Sequence, residues 1–124
     1  KDEEWGVTAQ KLTGRRGVDH VVEIGGSGTM AQSIAATRIG GHIALIGVLA
    51  GYAGPVSTVM IMSKQLRVQG LTVGNRRQQQ EMIRAIDVSG IRPVIDSHYP
   101  LESIADAFRH QASATHFGKI CLDI

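Results

Sequence analysis

The sequence predicts an α/β fold built on a mostly parallel sheet, and three observations support this prediction. Short runs of β-branched residues at 18–25 and 41–47 are typical of strands buried on both faces. An amphipathic segment separates them, long enough for the crossover of about a dozen residues that parallel strands require. Fifteen glycines among 124 residues cluster where the predicted strands and helices end.

Helical and extended patterns alternate through the first part of the chain. Residues 1–14 are predicted as a helix because apolar side chains recur at helical spacing and a glycine ends the run. Residues 29–39 are predicted as a second helix, whose inner face holds Met30, Ile34 and Ala35. The predicted core is three parallel strands in sequence order, with helix 29–39 as a right-handed crossover. These strands span 18–24, 42–47 and 66–73.

The later residues depart from this regular alternation. A short apolar helix is expected at 57–64, with Ser57 as its cap. An amphipathic helix is expected at 76–90, with Met82, Ile83 and Ile86 facing inward. A strand or extended segment, a further amphipathic helix and a terminal strand then follow, at 91–100, 101–111 and 118–124.

Composition and charge exclude several classes of protein. The formal net charge is +2, and lysine and arginine are spread along the chain, which disfavours nucleic acid and membranes as partners. Cys121 is the only cysteine, so an internal disulfide and a site of several thiolates are excluded, and a cytoplasmic location is expected. No apolar run approaches the roughly 20 residues of a membrane span. Because the chain starts without methionine, we expect a fragment.

The segment VVEIGGSGTMAQS, residues 21–33, places glycines between a predicted strand and a predicted helix. Gly26, Gly28 and Ala31 satisfy the pattern G-x-G-x-x-A in the context of a dinucleotide fingerprint. That fingerprint also needs an acidic residue roughly 20 positions further on to bind the ribose hydroxyls. No Asp or Glu occurs between Glu23 and Glu81, so this interpretation fails.

Two other interpretations of the glycines stay open at this point. The segment is similar to the glycine motif that binds S-adenosylmethionine, but that motif needs glycines at 25, 27 and 29, and this chain has Ser27 and Thr29. The glycines could also serve only to permit a tight turn from strand to helix. Motif logic alone favours the turn over the methyltransferase.

Three segments together resemble the C-terminal part of the medium-chain dehydrogenases, specifically the zinc-type alcohol dehydrogenases. They span 17–47, 66–78 and 116–124 and occur in the order of that family. The resemblance implies that the three predicted strands are the fourth to sixth of a Rossmann-type doubly wound sheet. The fingerprint and its acidic residue would then lie upstream, on strands outside this chain. The implied domains are a partial NAD(P)-binding domain at 1–90 and a C-terminal segment of the catalytic domain at 91–124.

The resemblance also implies which residues border the cofactor, NAD or NADP. The turn after the first strand would border its adenosine side, the end of the second strand the nicotinamide, and the end of the third would offer backbone groups to the carboxamide. In that order the residues are Ile24, Gly25 and Gly26; Ile46, Gly47 and Val48; Leu71, Thr72 and Val73. Lys119 falls where the family often carries a basic residue facing the pyrophosphate, and a solvated lysine is equally compatible.

Neither catalytic residues nor metal ligands are expected in this chain. Zinc-type members hold catalytic zinc with cysteine and histidine of the N-terminal catalytic domain, which lies outside it. None of the five histidines has ligand spacing with Cys121, and they are interpreted as surface or core residues: His20, His42, His98, His110 and His116. Asp96, Ser97 and His98 are adjacent, but neighbours on an extended segment point to opposite faces, so they form a poor catalytic triad.

The sequence therefore predicts part of an NAD(P)-dependent, alcohol dehydrogenase-like oxidoreductase. Such an enzyme transfers hydride between nicotinamide and a small alcohol, aldehyde or ketone. We expect this chain alone to be inert and to carry no stoichiometric zinc. Two alternatives stay open: a zinc-free quinone oxidoreductase of the same superfamily, and a non-catalytic, dimerising interaction module.

A homodimer through residues 56–74 is also expected. Residues 59–62 are apolar in succession, which is too apolar all round for a solvated helix. The strand that follows lies at the sheet edge that relatives of this family commonly pair across a two-fold axis. The alternative is a monomer in which residues 59–62 fold inward.

Overall fold

The computed structural model describes residues 2–124, which form two compact units: one up to Val73 and a second at Gly74–Ile124. The first unit contains α1 (Trp5–Leu12), β1 (Val18–Glu23), α2 (Met30–Ala36), β2 (Thr37–Leu45), α3 (Thr58–Ser63) and β3 (Arg67–Gly70). The second contains α4 (Arg76–Ser89), β4 (Ile95–Pro100), α5 (Ile104–Ser113) and β5 (Lys119–Asp123). Short 3₁₀ turns occupy Gly26–Gly28 and Leu101–Ser103.

The sheet of the first unit confirms the predicted parallel core. Its strands lie in the order β1-β2-β3, and both pairs are parallel. Val21, Ile43 and Val68 stand in register across the three strands. Ile43 is fully buried and packs with Met30 and Ile34 of α2, as the helical spacing predicted, whereas Ala35 of the predicted inner face is only half-buried and lies outside this cluster.

The prediction that the strands are buried on both faces is wrong for β1. Val21 packs against the core, whereas Val22 is 67% exposed and Ile24 is 52% exposed. Successive side chains of a strand point to opposite faces, and α2 contacts the face that carries Val21 and Ile43. Within residues 2–124 the sheet is therefore packed mainly on one face.

The predicted helix at 29–39 ends earlier, at Ala36, and β2 begins at Thr37. Lys64, distant in sequence, caps the end of this helix: its Nζ donates hydrogen bonds to the carbonyls of Ile34 (2.6 Å) and Ala35 (3.0 Å). Burial lowers the pKa of Lys64. The last carbonyls of a helix have no partner within it, so a lysine there supplies both hydrogen bonds and favourable charge.

The start of β2 is irregular, because the pairing with β1 shifts between Val18 and His20. Asp19 lies at this shift and binds the guanidinium groups of Arg16 and Arg38, its Oδ1 lying 2.5 Å from Nε of Arg38. The hydrogen bond from Arg16, and then that from Arg38, hold the pKa of Asp19 well below its usual range. All three groups are at least partly exposed, so they orient this end of the sheet more than they stabilise it.

Strand β3 is shorter than the predicted strand at 66–73 and ends at Gly70. The backbone N–H of Leu71 still donates to the carbonyl of Leu45, at 2.9 Å. Pairing with β2 therefore stops where β2 itself ends, because a strand can extend only as far as its neighbour offers hydrogen-bonding groups.

The second unit combines helix α4 with a two-stranded parallel sheet of β4 and β5 and with α5. A capping box at Asn75 and Gln78 begins α4, and Gly90 in the left-handed conformation ends it. The prediction that Met82 and Ile83 face inward is wrong for the described chain, since both are exposed. Local caps rather than burial of an apolar face thus define this helix.

The division into units at Val73 and Gly74 groups α4 with the later residues. The domain boundary predicted at residues 90 and 91 concerns a longer protein, whose domains need not coincide with compact units of this chain, and it stays a prediction. Within residues 2–124, none of the helices is both long enough and apolar enough to cross a membrane.

Candidate functional site

Nine of the predicted cofactor residues follow the carboxyl ends of β1, β2 and β3. Parallel strands bring these ends to one edge of the sheet, the usual place for ligands in open α/β sheets. The turn at 24–26 and the segment at 46–50 meet there. Backbone N–H groups of Leu49 and Ala50 donate to the carbonyls of Ile24 (3.1 Å) and Gly25 (2.7 Å).

Glu23, the last residue of β1, is only 3% exposed, and its carboxylate forms hydrogen bonds to the turn at 24–26. Its Oε1 accepts hydrogen bonds from the backbone N–H of Gly25 (2.6 Å) and of Gly26 (2.9 Å), and from the hydroxyl of Thr29 (2.6 Å). Its Oε2 accepts a hydrogen bond from the hydroxyl of Ser33, which is fully buried. The side chain thus links the end of β1 to the start of α2.

The charge of Glu23 is stabilised in this position. Burial raises the pKa of this carboxyl, but the hydrogen bonds from Ser33, Thr29 and the two glycine amides together lower the pKa below its usual value. The carboxylate occupies the backbone N–H groups that a phosphate would use in a glycine-rich turn. The carboxylate of Glu23 therefore occupies the backbone amides of this turn, so they are not free to bind a phosphate.

Sequence reasoning missed this role of Glu23 and used the residue only to mark where acidic residues are lacking. One signal could have revealed it. An acidic residue that ends an apolar strand needs hydrogen-bond donors when buried, and the glycines, Thr29 and Ser33 that follow supply them.

Two glycines of the turn are needed because the backbone of residues 48–51 comes very close. Gly26 has a positive φ of 79°, and a Cβ there would lie 2.5 Å from the carbonyl oxygen of Gly51. A Cβ on Gly28 would lie 2.3 Å from the carbonyl oxygen of Ala50. The turn-permitting role of the glycines is thus supported by backbone packing.

We expect Gly28→Ala to destabilise the first unit by about 1–3 kcal/mol, the usual cost of overpacking. Gly70→Ala is the matched control, since neither glycine needs a positive φ and a Cβ on Gly70 meets nothing within 4 Å. Urea unfolding of both variants measures the difference. Equal stability of the two variants would contradict the close approach.

The edge of the sheet offers apolar surface and backbone groups rather than charge. Ile46 and Val48 after β2, and Leu71 and Val73 after β3, are all exposed. A cavity of about 150 Å³ lies beside the turn, with Met30, Leu45 and Tyr52 among the residues that line it. Such a surface fits the face of a flat ring, whereas the closed turn does not fit a pyrophosphate.

The predicted Lys119 begins β5 in the second unit and is exposed. It lines a separate cavity of about 280 Å³ within that unit, together with His116 and apolar residues of α5 and β5. Its proposed role toward a pyrophosphate stays a prediction.

His98 does not join Asp96 and Ser97 in a catalytic triad. The expected alternation of neighbouring side chains is wrong for Asp96 and Ser97, which both approach His110, because the pairing of β4 with β5 shifts between Ile95 and Ser97. The Nδ1 of His98 lies 2.9 Å from Oδ1 of Asp123, while the other two side chains approach His110 of α5. Ser97 Oγ is 3.4 Å and Tyr99 Oη is 3.1 Å from Nδ1 of His110.

Asp96 also accepts a hydrogen bond from the backbone N–H of Phe117, and this hydrogen bond is the first cause of the lowered pKa of Asp96. Sequence reasoning did not foresee this cluster.

A catalytic zinc site does not fit the described residues. Within residues 2–124 there is no group of three or more histidine, cysteine, aspartate or glutamate side chains that could hold a metal ion. Cys121 is half-buried on β5 and unpaired among the described residues. No zinc-dependent step is therefore assigned to the side chains of residues 2–124.

The three-stranded parallel sheet and its apolar carboxyl edge define part of an open α/β sheet. A family model described as zinc-binding dehydrogenase matches residues 2–122. The chain therefore belongs to the zinc-binding dehydrogenase family, as its resemblance to the medium-chain dehydrogenases predicted.

Similar proteins include both alcohol dehydrogenases and quinone oxidoreductases. The zinc-type alcohol dehydrogenase-like protein of Schizosaccharomyces pombe is 32% identical over 128 residues, covering 100% of this chain and 37% of the relative. Quinone oxidoreductase-like protein 2 of Bos taurus is 26% identical over 123 residues, covering 92% of this chain and 35% of the relative.

The fold also matches solved structures. A crystal structure of an NAD-dependent alcohol dehydrogenase superposes with a TM-score of 0.82 at 29% identity, covering 99% of this chain and 36% of that protein. The chain thus spans little more than a third of the proteins that it matches. Its architecture is that of the C-terminal, NAD(P)-binding part of such enzymes.

Proposed function

We propose that this chain forms the cofactor-facing part of an NAD(P)-dependent oxidoreductase that interconverts a small alcohol and its aldehyde or ketone. One observation supports this proposal above others: exposed apolar side chains follow β2 and β3 at the carboxyl edge of a parallel sheet. The structural relative described as an NAD-dependent alcohol dehydrogenase has the same fold over this region.

The residues at this edge would bind and orient the ring. Ile46 and Val48 supply an apolar wall that excludes water from one face of the nicotinamide, and Leu71 to Val73 supply backbone groups for its carboxamide. Ile24 and the turn that Glu23 holds border the adenosine side. The bound nicotinamide supplies the hydride chemistry, and this chain contributes position and exclusion of water.

A chimera tests this proposal. The chain replaces the corresponding segment of the NAD-dependent alcohol dehydrogenase, and NADH fluorescence reports binding. We expect the chimera to bind NADH and Val48→Glu to weaken binding at least about tenfold, since a carboxylate would be desolvated against the ring. Leu49→Glu is the matched control, because Leu49 is exposed, adjacent in sequence and outside the proposed wall. A folded chimera that binds no NADH, or that responds equally to both variants, would refute the assignment.

The isolated chain should bind NAD or NADP more weakly than about millimolar, because the helix N-terminal amides and ribose acid of a phosphate loop are not available here. Glu23 already engages the amides of Gly25 and Gly26. Isothermal titration calorimetry of the chain with each cofactor measures this. Micromolar affinity for either cofactor would contradict this prediction.

A quinone oxidoreductase is the second candidate, and it is favoured by the Bos taurus relative. The same apolar wall would serve that reaction, which also uses a nicotinamide. Assays of the chimera do not separate the two, whereas a protein that joins this chain to its own N-terminal region would. Turnover of a quinone without added zinc favours this candidate, and zinc-dependent oxidation of an alcohol favours the first.

A further inference from the structure

Two histidines face each other on neighbouring strands of the first unit. His20 of β1 and His42 of β2 stand in register, so their side chains lie on the same face of the sheet. This is the face opposite Ile43 and the packed core, where His20 is exposed and His42 is partly exposed. Solvent ions can therefore reach both imidazoles.

The ring nitrogens of the pair are spaced as ligands of one metal ion would be. The Nδ1 atoms lie 3.4 Å apart, and the rings are nearly perpendicular, at 82° with centroids 5.6 Å apart. Two nitrogens bound tetrahedrally to zinc at 2.0–2.1 Å are about 3.3–3.4 Å apart. A hydrogen bond between the rings also requires that one Nδ1 carries a proton and the other does not, whereas two ligands of a metal ion are both unprotonated at Nδ1.

We propose that His20 and His42 form a zinc site that takes up the ion from solution, with water as the remaining ligands. The strands fix the spacing of the ligands before the metal binds, which reduces the ordering cost of binding. Asp19, the nearest acidic neighbour in sequence, is engaged by Arg16 and Arg38 and is not counted as a ligand.

The charge of Arg67 distinguishes a metal site from a simple contact between the two rings. It pairs in register with His42 on β3, so its charge lies on the same face of the sheet as the two histidines. A cation there repels a second cation. Removal of this charge should therefore strengthen zinc binding.

The site would connect β1 to β2 and so stabilise the first unit. Zinc that binds the folded state but not the pair of separated strands raises the unfolding free energy with concentration. With two protein ligands the ion exchanges readily and is removed by a chelator. The expectation that the purified chain carries no stoichiometric zinc is compatible with this.

Zinc chloride titrated into the chelator-treated 124-residue chain tests the proposal, followed by NMR of the histidine ring nitrogens and by the thermal unfolding midpoint. We expect shifts at His20 and His42 and a rise in the midpoint. His20→Ala and His42→Ala should each weaken binding by at least the roughly tenfold that loss of an outer partner of a metal ligand costs. His98→Ala is the matched control, and Arg67→Gln should bind zinc more tightly.

Circular dichroism confirms that each variant is folded, and His20→Gln replaces His20→Ala if that variant is not. Binding that is equal in the chain and both single variants would overturn the proposal. So would zinc-induced shifts at other histidines with none at this pair, or no shift at all up to millimolar zinc.

Discussion

Glu23→Leu should destabilise the first unit by about 3 kcal/mol or more, because hydrogen bonds to a charged group are worth roughly 1.5–3 kcal/mol each. The substitution leaves the amides of Gly25 and Gly26 and the hydroxyl of Ser33 buried without their acceptor. Small domains are stable by only about 5–15 kcal/mol, so much of the margin is lost. Urea unfolding followed by circular dichroism measures the change.

The variant Glu23→Gln separates the effect of the negative charge on stability from the effect of the hydrogen bonds. Glutamine keeps one acceptor for the glycine amides, and its N–H can donate to the hydroxyl of Ser33, so the loss should be smaller than with leucine. Glu81→Gln on α4 is the matched control, since Glu81 is exposed and pairs only loosely with Arg77, at 3.7 Å. A Glu23→Leu variant as stable as this control would contradict the role of the carboxylate.

The same carboxylate makes stability depend on pH in a definite direction. The pKa of Glu23 is lower in the folded state than in the unfolded state. The contribution of its carboxylate to the free energy of unfolding is therefore complete above the ordinary glutamate pKa of about 4.3. The contribution is lost as pH falls through the lower folded pKa. The stability difference between the chain and Glu23→Gln should therefore shrink on acidification.

Met60→Lys should convert a dimer of this chain into a monomer. Val59, Met60 and Met62 of α3 are exposed, whereas Ile61 packs against the core. The helix thus has an apolar side left over after its inner residue is buried. This arrangement supports the predicted two-fold interface through residues 56–74, in which a lysine would lose its water without gaining a partner.

Light scattering over a range of concentrations measures the association. Leu12→Lys is the matched control, because Leu12 of α1 is also exposed and apolar but lies outside residues 56–74. We expect the unchanged chain and this control to dimerise alike. A clean monomer at every concentration, or dissociation by both lysines, would rule out the interface.

The parallel sheet could be predicted because its signals are local. β-branched runs, a helix of crossover length and glycine turns each depend on nearby residues, and Met30 and Ile34 fell on the predicted inner face. The resemblance to a family added what periodicity could not, namely the prediction that the carboxyl edge of the sheet faces a cofactor.

The errors arose where packing depends on distant residues. A β-branched run shows that a strand is apolar on both faces, but not whether this chain covers both, and Val22 is exposed. Similarly, Met82 and Ile83 form the apolar face of the amphipathic helix α4, but the pattern does not show whether this chain covers that face, and both residues are exposed. The last carbonyls of α2 are capped by Lys64 from 30 residues away, which a local pattern of helix formers cannot reveal.

Within residues 2–124, β1 lies at one edge of its sheet, and this position bears on how the 124-residue chain alone behaves at high concentration. An edge strand presents backbone hydrogen-bonding groups, and exposed Val22 and Ile24 place apolar side chains beside them. A net charge of +2 provides little repulsion between molecules. Slow aggregation into β-rich material would then start from folded molecules at this edge, and Val22→Lys should delay it without raising stability.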